Sequence, residues 1–137
     1  REVLIVGDYQ TLAIANPKLA PYGEAALQTL ASLGISKDRI PRVVQGESIT
    51  QTFQFIHSGN ASLGFIALSQ AVSFKASARG ALWIIPHEHY SPIQQDAVLL
   101  NRGQPNPAAW AFLAYLKSQP ARAVIESFGY QLPAVAR

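Results

Sequence analysis

Short apolar runs alternate with segments of helical spacing, and this alternation restricts the possible folds more than any other feature of the chain. Apolar runs bounded by turn residues predict strands at 3–6, 12–15, 42–46, 63–68, 81–85 and 96–100. Apolar spacing and flanking Pro and Gly predict helices at 22–33, 47–57, 70–74, 107–118 and 120–128. Strands that are apolar throughout are typical of a parallel sheet covered by helices on both faces. The sequence therefore predicts an α/β fold, in which ligands bind beyond the carboxyl ends of the strands.

The composition fits a folded chain and removes several kinds of site. With 137 residues, 49% apolar and 14% charged, the chain is long and apolar enough for a real core. It has no cysteine, which excludes disulfides, thiolate metal sites and a cysteine nucleophile. It contains neither a membrane-spanning apolar run nor a signal-peptide pattern. It opens on Arg1 and has no Met, so we expect a processed protein or an excised piece.

The basic residues are dispersed along the chain. The net charge is +3, which favours anionic partners in general. Eight of the eleven basic residues are Arg39, Arg42, Lys75, Arg79, Arg102, Lys117, Arg122 and Arg137. They form no cluster and have no interleaved aromatic residues, so nucleic-acid binding is not expected.

Two predicted strand-to-helix junctions are suited to an anion: residues 16–23 and residues 46–49. Each would place backbone N–H groups and the positive end of a helix dipole at the carboxyl edge of the sheet. Most junctions of this kind in α/β folds bind nothing, and Ser48 is explained equally well as a helix cap.

Other candidate residues favour structural roles. His87, Glu88 and His89 lack a fixed third ligand, so a solvated loop is a better interpretation than a metal site. Ser69 and Ser73 lack the small-residue turn of a hydrolase nucleophile, and no catalytic residues are predicted. Trp83 and Trp110 lie in apolar runs and are expected in the core.

Several motifs, in order, resemble the periplasmic molybdate-binding proteins of bacterial ABC importers. The motifs are Leu12–Pro17, Ala20–Gly23, Val44–Ile49, Gln51–Phe55, Ser58–Ala61, Leu63–Gln70 and the ending Phe128–Tyr130. The resemblance runs from about Gly7 to Pro133. It implies a two-lobed periplasmic-binding-protein-like fold of type II, with a tetrahedral oxyanion held between the lobes by hydroxyl and backbone N–H groups.

The resemblance also implies particular site residues. The backbone N–H groups of Tyr22 and Ile49 are the expected oxyanion donors, supported by Pro21, Gly23 and Ser48. Some family members add a tyrosine hydroxyl at the position of Ala67, so that contact is missing here. The Tyr22 hydroxyl is a candidate to replace this missing contact with the oxyanion. No cofactor and no protein-ligated cation are implied.

By the same resemblance, residues 1–93 correspond to the second lobe, and residues 94–137 supply a return strand at 94–100 and terminal helices that pack on the first lobe. The N-terminal half of that first lobe would be missing, and with it about half of the site. The apolar helices 107–118 and 120–128 then need a partner. That partner is expected to be the missing half or a second copy of the chain. An alternative is that the tail folds back on the lobe in an arrangement unlike that of the family.

The implied function is binding of molybdate or tungstate in the periplasm and delivery to an ABC permease in the membrane. An alternative is the ligand-sensing domain of a transcription regulator, which shares the lobe architecture. An enzyme built on this lobe is a third possibility, and it would need a catalytic group at the junctions. Glu24 and Glu47 lie nearby but are expected to point to solvent, since carboxylates would oppose an oxyanion.

Overall fold

The computed structural model describes residues 1–74 and 80–133 and divides the chain into two compact units, residues 1–93 and residues 94–137. Lys75, Arg79 and Arg137, three of the dispersed basic residues, lie outside the described residues. Within the described ranges, no helix has the length and apolar character needed to span a membrane.

A three-stranded parallel sheet forms the centre of the first unit. Its strands are β1 (Leu12–Ala15), β2 (Val43–Gly46) and β3 (Leu63–Gly64), in the order β2-β1-β3. All four residues of the central strand β1 are buried. Leu12 pairs with Val43 on one side and with Leu63 on the other. The predicted α/β class is therefore confirmed, and the central strand is buried on both faces as its apolar sequence requires.

Four helices accompany this sheet: α1 (Glu2–Val6), α2 (Pro21–Ser32), α3 (Ile49–His57) and α4 (Leu68–Ser73). Short 3-10 turns lie at Lys37–Arg39 and His87–His89. One face of β1 joins α2 in the main core, which contains Leu4, Tyr9, Leu12, Ile14, Ala26, Leu30, Ile35 and Phe65. The alternate residue Ala13 pairs with Gly64 of β3, and a β-carbon at Gly64 would touch both Ala13 and Ile56 of α3 on that side. The sheet is thus covered on both faces, and each helix that follows a strand begins at its carboxyl end.

Residues 3–6 form part of helix α1, so the strand predicted there is wrong. The helix ends at Gly7, whose φ of 84° is a left-handed conformation that glycine adopts readily. One of its carbonyls has a partner from outside the helix, because Arg39 Nη2 donates to Ile5 O over 3.2 Å. Every residue from Val3 to Val6 is apolar, so the run had no periodicity to separate a helix from a strand.

Three further predicted strands are shortened or replaced. The run 63–68 contributes only Leu63–Gly64, and α4 already begins at Leu68. Residues 81–85 and 96–100 have no regular secondary structure, and neither has the rest of the predicted return strand at 94–95. A strand exists only where a neighbour completes its hydrogen-bonded ladder. Among the residues that the structure covers, no neighbour pairs with these segments.

The second unit is built from two helices, α5 (Pro107–Leu116) and α6 (Gln119–Ser127), after a 3-10 turn at Asn101–Gly103. Asn106 and Ser118 cap them by accepting hydrogen bonds from backbone N–H groups of the first turn. Their large apolar side chains are largely exposed, including Trp110 (56%), Phe112 (60%) and Val124 (57%). The expectation that Trp110 is a core residue is wrong, because more than half of its surface is exposed. Its indole N–H donates to Gln104 O. Trp83 is partly buried against the main core.

Candidate functional site

The two strand-to-helix junctions lie side by side at one edge of the sheet. The last residues of β1 and β2, Ala15 and Gly46, are partners in the ladder. The next residue, Asn16, donates its N–H to Gly46 O over 2.7 Å and so extends the pairing beyond β1. Because the strands are parallel and in register, α2 and α3 both start from this edge.

At the first junction, Asn16 shapes the turn that leads into α2. Its Oδ1 accepts from Lys18 N at 3.0 Å, and its carbonyl oxygen accepts from Leu19 N and from Ala20 N. Ala20 is the N-cap with extended backbone angles, and Pro21 occupies the first helical position. Proline suits that position because its fixed φ is helical and its missing N–H has no intrahelical acceptor there.

Two glycines allow the helices to start in direct contact with the strand ends. A β-carbon at Gly23 would overlap the Ala15 carbonyl oxygen and lie 2.7 Å from Pro17 N. A β-carbon at Gly46 would lie 2.6 Å from Thr52 Oγ1 and 2.7 Å from Thr52 N. Contacts this short exclude a side chain at either position. The first turns of α2 and α3 therefore pack on backbone, which brings their N–H groups to the sheet edge.

The second junction has a complete cap that leaves two N–H groups available. Ser48 Oγ accepts from Gln51 N at 3.2 Å, and Gln51 Oε1 accepts from Glu47 N at 2.7 Å. Ile49 and Thr50 are the first two helical residues, whose N–H groups have no intrahelical acceptor. Within residues 1–74 and 80–133, neither N–H group has an acceptor.

The structure brings the predicted site residues to these adjacent helix starts. Tyr22 is the second residue of α2 and Ile49 is the first residue of α3, and both are partly buried. Pro21 and Gly23 flank Tyr22 in the same turn, and Ser48 caps α3 as expected. Their contact with an anion stays a prediction.

The electrostatics of this edge favour an anion. The positive ends of two helix dipoles meet there, each of them equivalent to about half a unit charge. The nearby carboxylates are on exposed residues: Glu24 Oε1 accepts from Gln28 Nε2 at 3.4 Å, and Glu47 is solvent-exposed. The site thus offers neutral donors, and no carboxylate is buried in it among the residues that the structure describes.

Sequence reasoning missed two residues that hold the start of α3. Thr52 is fully buried, and its Oγ1 donates to Ser48 O over 2.9 Å. Gln70 donates from Nε2 to Ile49 O over 3.3 Å and accepts from Ala67 N at 3.1 Å. Ala67 itself is the buried N-cap of α4. The four-residue spacing of Ser48 and Thr52 was the available signal for the first contact, while the second joins residues 21 positions apart.

The remaining candidates lie elsewhere. His89 Nδ1 lies 2.9 Å from Ser32 Oγ, and its Nε2 is 3.9 Å from Glu88 Oε1. This arrangement is not a nucleophile and base, because Ser32 Oγ already donates to Thr29 O at 2.8 Å. Across the described ranges, no three potential metal ligands come together, so His87 and His89 form no such cluster.

An α/β lobe with two helix N-termini at neighbouring parallel strand ends defines a class of ligand-binding domain. Residues 4–131 match the family model described as bacterial extracellular solute-binding protein, and the chain belongs to that family. The fold is that of a periplasmic binding protein. Over 97% of the chain, the structure resembles the solved periplasmic molybdate-binding protein of Azotobacter vinelandii, with a TM-score of 0.86 and 36% identity, and covers 58% of that chain.

Two curated relatives are molybdate-binding proteins as well. The chain is 48% identical over 130 residues to the molybdate-binding protein ModA of Azotobacter vinelandii, which is 95% of this chain and 52% of that protein. It is 42% identical over 123 residues to the molybdate-binding protein ModA of Rhodobacter capsulatus, 90% of this chain and 48% of the relative. Both relatives are named as binding proteins. The chain spans about half the length of the curated relatives it matches.

Proposed function

We propose that this chain supplies one half of an oxyanion site in the solute-binding component of an ABC importer, with molybdate or tungstate as the ligand. The observation that carries the proposal is the pairing of Ala15 with Gly46, which starts α2 and α3 side by side at one sheet edge. The molybdate-binding relatives named above support the choice of ligand. They also favour transport over the regulator considered from the sequence.

In this proposal the backbone N–H groups of Tyr22 and Ile49 donate to oxygens of the anion. Pro21 and Gly23 set the first turn of α2, and Ser48 leaves Ile49 available by taking Gln51 N instead. Neutral donors at two helix dipoles bind an anion without a counter-cation, since the dipoles provide the opposing partial charge. Ion size and bond length would then separate molybdate and tungstate from sulfate.

The two units are assigned to different lobes of the complete protein. Residues 1–93 form the second lobe, and residues 94–137 belong with the first lobe. The missing N-terminal half would cover α5 and α6 and supply the other oxyanion donors. The exposure of Trp110, Phe112 and Val124 supports this assignment, as does the coverage of only about half of each relative. A second copy of the chain is the other candidate for covering these helices.

Closure of the two lobes over the anion would complete its hydrogen bonds and create the surface that the permease recognises. The complete protein would therefore act in the periplasm, and nucleic acid has no part in this function. Each charge-assisted hydrogen bond contributes about 1.5–3 kcal/mol, so the chain alone should bind orders of magnitude more weakly than the complete protein.

Calorimetric titration of this chain and of the complete protein with molybdate, tungstate and sulfate tests the proposal. We expect the complete protein to bind molybdate or tungstate and to ignore sulfate, while the chain alone binds weakly or undetectably. A complete protein that binds neither oxyanion would overturn the ligand assignment. Tight binding by the chain alone would instead show a full site assembled without the other half.

A further inference from the structure

The carbonyl oxygen of Ser48 is held by two hydrogen bonds from one buried residue. Thr52 donates to it from the backbone N–H over 3.0 Å and from Oγ1 over 2.9 Å. The Thr52 side chain has no exposed surface. It also lies against Gly46, whose lack of a β-carbon makes room for Oγ1. The peptide plane that follows Ser48 is therefore fixed from its carbonyl side.

This peptide plane carries the N–H group of Ile49 at its other end. A carbonyl oxygen that accepts hydrogen bonds polarises its peptide group and makes the N–H a stronger donor. The rigidity of the peptide plane also means that fixing the carbonyl fixes the direction of the N–H. Thr52 thus acts on the proposed oxyanion donor without facing the anion itself.

The next peptide plane is held in the same manner by another helix. Gln70 Nε2 donates to Ile49 O over 3.3 Å, and that peptide carries the N–H of Thr50. Gln70 is itself oriented, because its Oε1 accepts from Ala67 N at 3.1 Å. Two successive peptides at the start of α3 are therefore fixed on their carbonyl sides, while the Ile49 and Thr50 N–H groups have no acceptor among the described residues.

A threonine hydroxyl that bonds a carbonyl four residues back is common in helices. Thr29 does the same in α2, where its Oγ1 donates to Ala25 O over 2.8 Å and only 1% of the residue is exposed. The difference lies in the carbonyl that accepts. Ala25 is inside its helix, whereas Ser48 is the N-cap, so only the Thr52 bond acts on a peptide whose N–H faces out of the helix. Thr29 is therefore a matched control for Thr52.

We propose that Thr52 and Gln70 are positioning residues that hold the Ile49 and Thr50 N–H groups in the direction of the bound oxyanion. This inference rests on the proposed function and adds residues to that site. Gln70 lies in α4, the helix that follows β3 and has Ala67, which supplies no hydroxyl, as its N-cap. Gln70 therefore acts on the site through Ile49 of α3 and not on the anion directly.

The test is molybdate titration of the complete protein as wild type, Thr52→Val, Thr52→Ser and Thr29→Val. Valine has the shape of threonine but cannot donate, and serine keeps the hydroxyl. We expect Thr52→Val to weaken binding at least tenfold, with Thr52→Ser and Thr29→Val within about threefold of wild type. Unfolding temperatures of the two valine variants show whether they are equally destabilised. Equal affinity of Thr52→Val and wild type, or equal losses in both valine variants, would overturn the proposal.

A second variant keeps the test decisive if Thr52→Val does not fold. Gln70→Met has a similar length and removes both side-chain hydrogen bonds, and we expect it to weaken molybdate binding severalfold. In ¹⁵N-labelled protein, the Ile49 and Thr50 amide resonances should shift with molybdate in wild type and Thr52→Ser, and less in Gln70→Met. Unchanged affinity and shifts in Gln70→Met would exclude its role. If the wild type binds no oxyanion, the proposed function fails and this inference fails with it, whereas a binding wild type with unaffected variants overturns the inference alone.

Discussion

Gly23 lies directly on the end of the central strand, where a β-carbon would overlap the carbonyl oxygen of Ala15. We expect Gly23→Ala to destabilise the chain by about 1–3 kcal/mol, because the first turn of α2 must move off backbone that cannot yield. Chemical denaturation measures the change. Gly80→Ala is the control, since no atom of the described residues lies within 4 Å of a β-carbon there. Equal stability of the two variants would contradict the close contact.

Ile49→Pro is expected to remove the proposed oxyanion donor while leaving α3 intact. Proline is favourable at the first helical position, and Ser48 before it has the extended angles (φ −142°, ψ 163°) that a residue preceding proline requires. In the complete protein, loss of one charge-assisted hydrogen bond should weaken molybdate binding about 10- to 100-fold. Ile49→Ala, which keeps the N–H, controls for the lost side chain. If the proline variant binds as tightly as the alanine variant, the Ile49 N–H is not a donor.

Tyr22→Phe separates the two groups that Tyr22 offers. The variant keeps the backbone N–H and loses only the hydroxyl. We expect less than a tenfold loss of molybdate affinity in the complete protein, against the larger loss in Ile49→Pro. Calorimetry compares them directly. A loss as large as that of Ile49→Pro would mean that the hydroxyl, and not the backbone, is the main contact from this turn.

Ser48 allows capping to be separated from anion binding. Ser48→Ala should cost about 0.5–2 kcal/mol of stability, because Gln51 N loses its acceptor. Ser48→Asp can still cap and should stay close to wild type in chemical denaturation. Its carboxylate would, however, repel an oxyanion at the same helix start, so its molybdate affinity in the complete protein should fall. An aspartate variant with unchanged affinity would place the anion away from α3.

Tyr9 should make the chain less stable at alkaline pH. Its hydroxyl is buried and has no hydrogen-bond partner in the described part of the chain. Burial raises the pKa of the phenol, and the nearby Arg39 charge offsets this only in part. In the unfolded state the phenol ionises near pH 10, while the folded state retains the proton, so the free energy of unfolding falls as pH rises above about 10.

Tyr9→Phe should remove this alkaline contribution. At pH 7 the variant should lie within about 1 kcal/mol of wild type, because no hydrogen bond is lost. Urea denaturation at pH 7 and at pH 10.5 compares the two proteins. A variant that loses as much stability as wild type between these pH values would show that other groups cause the alkaline loss.

The elements predicted correctly from sequence are those with local signals at both ends. Helix α2 starts at Pro21 and is followed by Gly34, and α3 is capped by Ser48. Helix α1 was predicted as a strand because its apolar run shows no period. The strands predicted at 81–85 and 96–100 failed for a different reason, since pairing depends on a neighbour that local sequence does not describe.

In the candidate site, too, features with local sequence signals were predicted and contacts between distant residues were not. Both junctions were predicted, because strand ends and helix starts are local patterns. The hydrogen bond from Gln70 to Ile49 was not predicted, because it depends on how α4 lies against α3 in the folded unit. Thr52 was not predicted to belong to the site either. Its action on Ser48 needs the carbonyl to belong to an N-cap, which becomes clear once the helix start is known.

Because Ala15 and Gly46 are ladder partners, the spacing of the two helix starts does not depend on the length of the segment that joins α2 to β2. Residues 36–39, between α2 and β2, are exposed at the surface. A change in the length of this segment need not alter the distance between the two helix starts, because the ladder sets that distance. An α/β unit of this design can diversify its surface in evolution, or be converted into a reporter in the laboratory, while the sheet edge where α2 and α3 start keeps its dimensions.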